Sequence, residues 1–144
     1  MQNRNVFKWC FCSVLALFLV TLIGLPVSGQ VQDGNKPSIT ITSVPTDPPG
    51  ENMASEPIKG TVNNGNPEEH KVVIYARGGN KWWVQPYAAS PYTDISEDGQ
   101  WESETHGGTE FAALLVKSSY KPSATLGSLP VVGGDILDIA KKKP

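Results

Sequence analysis

The chain has 144 residues, 39% of them hydrophobic, and a formal net charge of −2, which suits one domain with one core. That balance offers no electrostatic footprint for nucleic acid. The two cysteines, Cys10 and Cys12, both lie near the start, so whatever folds after them holds together without disulfides.

In chain order, residues 1–29 read as a secretory signal peptide. Arg4 and Lys8 give a cationic start, an apolar run follows from Trp9 to Leu25, and Pro26 stops any helix. Val27-Ser28-Gly29 then supplies the small residues of a cleavage site before Gln30. The rival reading is an uncleaved anchor, the one route by which this chain would touch a membrane, since such a run sits at the lower limit for spanning a bilayer. Removing Arg4 and Lys8 from the 12 basic residues leaves ten against 14 acidic, a mature charge of about −4. No cysteine follows the small residues and no Asn-x-Ser/Thr triplet occurs, which points to a bacterial exported protein, secreted or extracytoplasmic in the periplasm or at the cell surface. Residues 30–37 form a polar leader, and 38–144 form the domain.

From Ser38 onward short runs alternate with period two between clusters of Pro, Gly, Asn and Asp. Ser38–Val44 places Ile39 and Ile41 on one face, and the prolines from Pro45 to Gly50 end it. Ile58–Val62 places Ile58, Gly60 and Val62 together, before the turn Asn63–Pro67. His70–Arg77 sets Val72, Ile74 and Ala76 against Val73, Tyr75 and Arg77. Lys81–Gln85 is a short aromatic strand closed by Pro86, and an irregular crossing follows until a pairing at Ile95. Asp98-Gly99 makes a tight turn into Trp101–Thr105. Glu110–Lys117 is apolar on both faces and predicts a central strand buried on both sides. Ser118–Gly134 reads as a long loop. Asp135–Lys141 is the last strand, with Ile136 and Asp138 opposite Leu137 and Ile139. Lys141-Lys142-Lys143 reads as a solvated tail. Seven to eight short strands without a helical period predict an all-β antiparallel sandwich.

The ordered series Pro57–Val62, Val72–Tyr75, Trp82–Pro86, Ile95 with Asp98–Trp101, and Phe111–Val116 resembles the immunoglobulin-like β-sandwich accessory domains of bacterial secreted and cell-surface proteins, which often stand beside polysaccharide-active enzymes. The resemblance spans about Ile39 to Ala140 and implies a binding or accessory role, with carbohydrate as the usual ligand. Such domains accompany a catalytic partner, and this chain carries none. The Cys…Trp…Cys signature of antibody domains is absent.

The chemistry-bearing residues favour binding over catalysis. Trp82, Trp83, Tyr87, Tyr92 and Trp101 hold most of the aromatic area after residue 30. Sugars present apolar C–H faces to such rings, while polar groups hold their hydroxyls. Adjacent Trp82 and Trp83 point to opposite faces of a strand. Trp82 is in phase with Val84 and so is the core member, leaving Trp83, Tyr87 and Tyr92 as candidate ligand-binding rings. The competing reading is that the tryptophans plug the core and the tyrosines close its ends. Glu102 and Glu104 share a strand face, but a solvated acidic face explains them better than a glycosidase pair. Asp94, Glu97 and Asp98 lack a calcium-loop spacing, and His70 and His106 without cysteine make a poor zinc set. No nucleophile elbow occurs, and the paired glycines precede no helix, so neither a catalytic residue, a metal nor a cofactor is called for. The sequence thus predicts a non-catalytic module for polysaccharide or another cell-surface ligand. The alternative is a structural or protein–protein interaction domain with no small ligand.

Overall fold

A computed structural model describes residues 36–46 and 54–144. The expected signal segment, nearly all of the leader and most of the Pro45–Gly50 break lie outside the described residues. Among the described residues the regular elements are all strands: β1 (Ser38–Ser43), β2 (Glu56–Asn63), β3 (His70–Gly78), β4 (Lys81–Gln85), β5 (Tyr92–Thr93), β6 (Gln100–Thr105), β7 (Phe111–Lys117), β8 (Thr125–Leu126) and β9 (Ile136–Lys142). They make two antiparallel sheets. One has the order β1-β2-β6; the other runs β8-β4-β3-β7-β9, with β5 also on β3. β5 pairs with Val72 and Val73 while β4 pairs with Ile74 to Gly78, so one flank of β3 is covered by two separate pieces of chain.

Period-two alternation sorts the apolar residues into two clusters. The first lies between the sheets: Ile39, Ile58 and Val62 from the smaller sheet meet Val72, Ile74, Phe111 and Leu115 from the larger, with Trp101 and Ile95. β2 lacks a side chain at Gly60 because the space is taken; a Cβ there would overlap the Trp101 indole and the Thr40 carbonyl. Ile95 was expected to begin a pairing. It is instead a loop residue buried in this core, and the pairing falls earlier, at β5.

The second cluster lies on the opposite face of the larger sheet, where Val73, Tyr75, Trp82, Val84, Ala112, Leu114 and Val116 are buried. Among the described residues no third sheet covers them. The segment after β7 does, by laying Tyr120, Leu126 and Leu129 over the face. This segment, expected as a plain loop, contains β8 and is tied down by three hydrogen bonds: Tyr75 Oη to Ser123 O (2.9 Å), Tyr92 Oη to Tyr120 O (2.7 Å) and Val84 N to Ala124 O (3.0 Å). Each large apolar side chain so covered contributes about 1.5–3 kcal/mol relative to exposure. β7, flanked by β3 and β9 and sealed on both faces, is the central strand its composition predicts.

β9 departs from simple alternation. A register shift at Leu115/Val116 places Ile136 opposite Val116 and Asp138 opposite Leu115. Such a bulge inserts one extra residue and resets the phase. Ile136 and Ile139 therefore share the outer cluster, while Leu137 and Ala140 pack on the inner one, which corrects the expected pairing of Ile136 with Asp138. Asp138 accepts the Ile39 backbone N–H at 2.9 Å, and Lys142 Nζ donates to Thr42 O at 2.6 Å. These two bonds join β1 to β9 along one side of the sandwich.

Candidate functional site

The candidate site lies where β4 runs past the edge of the smaller sheet. In the β3–β4 register Ile74 faces Gln85 and Ala76 faces Trp83, so Trp83 and Gln85 share the inner face with the inter-sheet core. Yet β6, the last strand of the smaller sheet, lies across β3 and β5. Nothing in that sheet extends over β4. Trp83 is 48% exposed, with its indole against Gly78, while Trp82 on the other face is 6% exposed beneath the Arg77 guanidinium, 5.8 Å from its ring centre. This is the assignment that the phase of Trp82 with Val84 predicts, although Trp82 plugs the outer cluster and not the space between the sheets.

Gln85 is buried and links the two sheets. Its Oε1 accepts the His106 backbone N–H at 2.9 Å and lies 3.0 Å from His106 Nδ1; its Nε2 donates to Trp83 O at 3.2 Å. A buried amide is tolerated when its donors and acceptors are matched in this way. Beyond Gln85 a cis peptide leads to Pro86 and a short turn, in which Ser90 N donates to Tyr87 O at 3.1 Å. Tyr87 is 59% exposed, and its ring meets the His106 ring edge to face, with centroids 5.8 Å apart at 71°. The exposed Tyr87 ring, the half-buried His106 imidazole and the Gln85 amide thus meet just beyond the ends of β4 and β6, while the exposed Trp83 lies on the same face of β4, its indole toward Gly78. Apolar ring faces beside a fixed polar nitrogen are the elements of a site for a ligand with both C–H faces and hydroxyls.

Of the three rings expected here, Tyr92 does not take part. It pairs with Val73, an outer-face residue, so it projects to the side opposite Trp83, and its ring packs half-buried on the outer cluster. Gln85 and His106 were not expected. The phase of Gln85 with Trp83 was the available signal, and it became meaningful only once the narrow sheet stopped at β6.

The other candidate groups disperse. Glu102 pairs with Lys59 at 2.9 Å and Glu104 accepts the Ser55 hydroxyl at 2.6 Å, so each has its own partner. Asp94 pairs with Lys71 at 2.9 Å. Asp98 accepts from the Ser96 hydroxyl at 2.6 Å and the Gln100 N–H at 3.2 Å, and these bonds, the hydroxyl first, hold its carboxyl below the usual range. His70 Nδ1 accepts the Asn66 N–H at 3.0 Å. Among the described residues no group of three or more His, Cys, Asp or Glu is arranged to hold a metal ion. A cleft of about 540 Å³ on the outer face has Trp82 and Leu129 in its lining and Arg77, Glu110 and Lys141 beside them. Another of about 390 Å³ lies beside β6, against Ile95 and Trp101. Neither includes Trp83 or Tyr87. In comparison with known proteins, the chain matches no family model, no curated protein and no solved structure.

Proposed function

We propose that this chain is a secreted, non-catalytic binding module of the immunoglobulin-like type, and that it takes polysaccharide on the Trp83–Tyr87 face. The strand order supports the architecture: β1-β2-β6 opposite β4-β3-β7-β9 corresponds to the arrangement in which three strands of an immunoglobulin-like sandwich face the remainder. The observation that carries the function is the exposure of Trp83 and Tyr87 in a domain whose other described aromatic rings are buried or half-buried. A tryptophan ordinarily buries about 150–250 Å², so leaving half of it in water forgoes about 2–3 kcal/mol of stability. A stacked sugar face would recover that area on binding. The test is titration of the full chain against a panel of soluble oligosaccharides, with Trp83→Ala as control. Binding that Trp83→Ala weakens at least tenfold supports the reading; binding unchanged by that substitution refutes the site.

A protein-interaction role without a small ligand draws on a different surface. Val131 is 84% exposed and Val132 45%, an apolar pair in the turn that leads into β9. A panel in which every sugar stays unbound returns the question to that turn.

A further inference from the structure

We infer that His106 is the hydrogen-bonding member of the Trp83–Tyr87 face, fixed by Gln85 in its Nδ1–H form so that Nε2 accepts a hydroxyl of the bound sugar. This rests on the carbohydrate reading above. The tautomer follows from what each partner can do. The His106 backbone N–H only donates, so the Gln85 atom 2.9 Å from it is oxygen. Trp83 O only accepts, so the other end of the same amide, 3.2 Å away, is nitrogen. Two backbone groups thus orient the amide, and flipping it would break both bonds. The oxygen so placed also lies 3.0 Å from His106 Nδ1. A carbonyl oxygen cannot donate, so Nδ1 carries the proton, and in the neutral ring the lone pair is left on Nε2.

That nitrogen is left open to water. The structure gives it no partner among the described residues, and it is not among their buried unpaired polar atoms, so solvent reaches it. The Tyr87 ring, edge to face at 5.8 Å, braces the imidazole from the side. On the neutral ring a bare acceptor takes a hydrogen-bond donor, and beside the exposed Tyr87 ring a hydroxyl-bearing polyol supplies both the donor and the C–H face. Gln85 acts only through His106 and is a positioning residue.

Two readouts test this on the full chain. Long-range proton–nitrogen correlation of the ¹⁵N-labelled protein at about pH 8, above the usual imidazole titration, should show His106 protonated at Nδ1 and bare at Nε2. The opposite tautomer overturns the inference whether or not a sugar binds. In Gln85→Leu the preference for Nδ1–H should be lost, and if that variant does not fold the wild-type spectrum still decides. For binding, His106→Phe keeps a ring against Tyr87 and removes the acceptor. It should weaken the oligosaccharide retained by the wild type about five- to tenfold, and one deoxy analogue should lose the same factor on the wild type and nothing more on the variant. If the wild type binds, Trp83→Ala does not, and His106→Phe binds like the wild type, this inference fails and the carbohydrate reading stands. If the wild type binds no sugar, both fail.

Discussion

Raising the pH should destabilise this domain through Tyr75, and Tyr75→Phe should remove that part of the loss. Tyr75 is fully buried and donates to Ser123 O at 2.9 Å. Burial, with the nearby Tyr120 phenol adding to it, pushes its pKa well above the ordinary phenol value. The folded chain therefore keeps this proton at a pH where the unfolded chain releases it. Above about pH 10 the unfolded state binds fewer protons, so stability falls as pH rises, by about 1.4 kcal/mol per unit for one such group. The decline continues until the folded-state pKa is passed. At pH 8 the phenylalanine variant lacks one hydrogen bond and should be less stable by about 1 kcal/mol. By pH 12 the wild type has lost on the order of 3 kcal/mol that the variant keeps, so the two stability curves should cross between about pH 10 and 12. Urea unfolding followed by circular dichroism at pH 8, 10, 11 and 12 measures this. Tyr120 is also shifted upward by burial, and because its hydrogen bond with Tyr75 partly offsets that shift, the difference between the two curves reads the Tyr75–Tyr120 pair. Parallel curves over the whole range would refute the reasoning.

Gly60→Ala should destabilise by about 1–3 kcal/mol or more, because a rigid backbone carbonyl and a buried indole both occupy the place of the new methyl; a thermal melt within a degree of wild type would contradict the packing of Trp101 across β2. Ser96→Ala should move the Asp98 carboxyl titration upward toward the ordinary value, since the hydroxyl is the larger cause of its depression, and carbon-detected NMR titration reads the change directly. The same depression means that Asp98 favours the folded state above the ordinary carboxylate pKa and loses that preference as pH falls. Lys59→Ala should change stability by less than about 1 kcal/mol, because both members of its pair with Glu102 are about half exposed or more.

The larger part of the fold was legible because it rests on alternation. β3 and β7 carry continuous apolar runs, Val72–Ala76 and Phe111–Val116, whose two alternating faces are both buried, and such a strand has few places to go except the middle of a sheet. The Asp98-Gly99 turn was legible because Gly99 takes φ +80°, which glycine tolerates freely. Alternation fails where the backbone departs from it. A bulge near Ile136 leaves no mark on a sequence whose next residues are all plausible in either phase. The cover over the outer cluster was hidden for another reason. Tyr120, Leu126 and Leu129 are spaced irregularly, so their shared role comes from the path of the chain and not from a period. Trp101 Nε1, buried with no partner among the described residues, was equally invisible, because satisfying an N–H depends on what surrounds it in space.

The site depends on a mismatch in width between the two sheets. Strand parity predicts only that Trp82 and Trp83 diverge; it does not say that either meets water, because either face could be covered. The outer face is covered by the segment after β7, which adds β8 beside β4 at Trp82 and Trp83. The inner face of β4 has no opposing strand, because the smaller sheet ends at β6. What fills the step is the residue just after β6: His106 meets Gln85 with two hydrogen bonds where a further strand would have used apolar side chains. A hydrocarbon there could neither accept the His106 N–H nor orient its imidazole. The choice of glutamine at a buried position is therefore accounted for by the groups it orients, and the exposed Trp83 follows from the same missing strand.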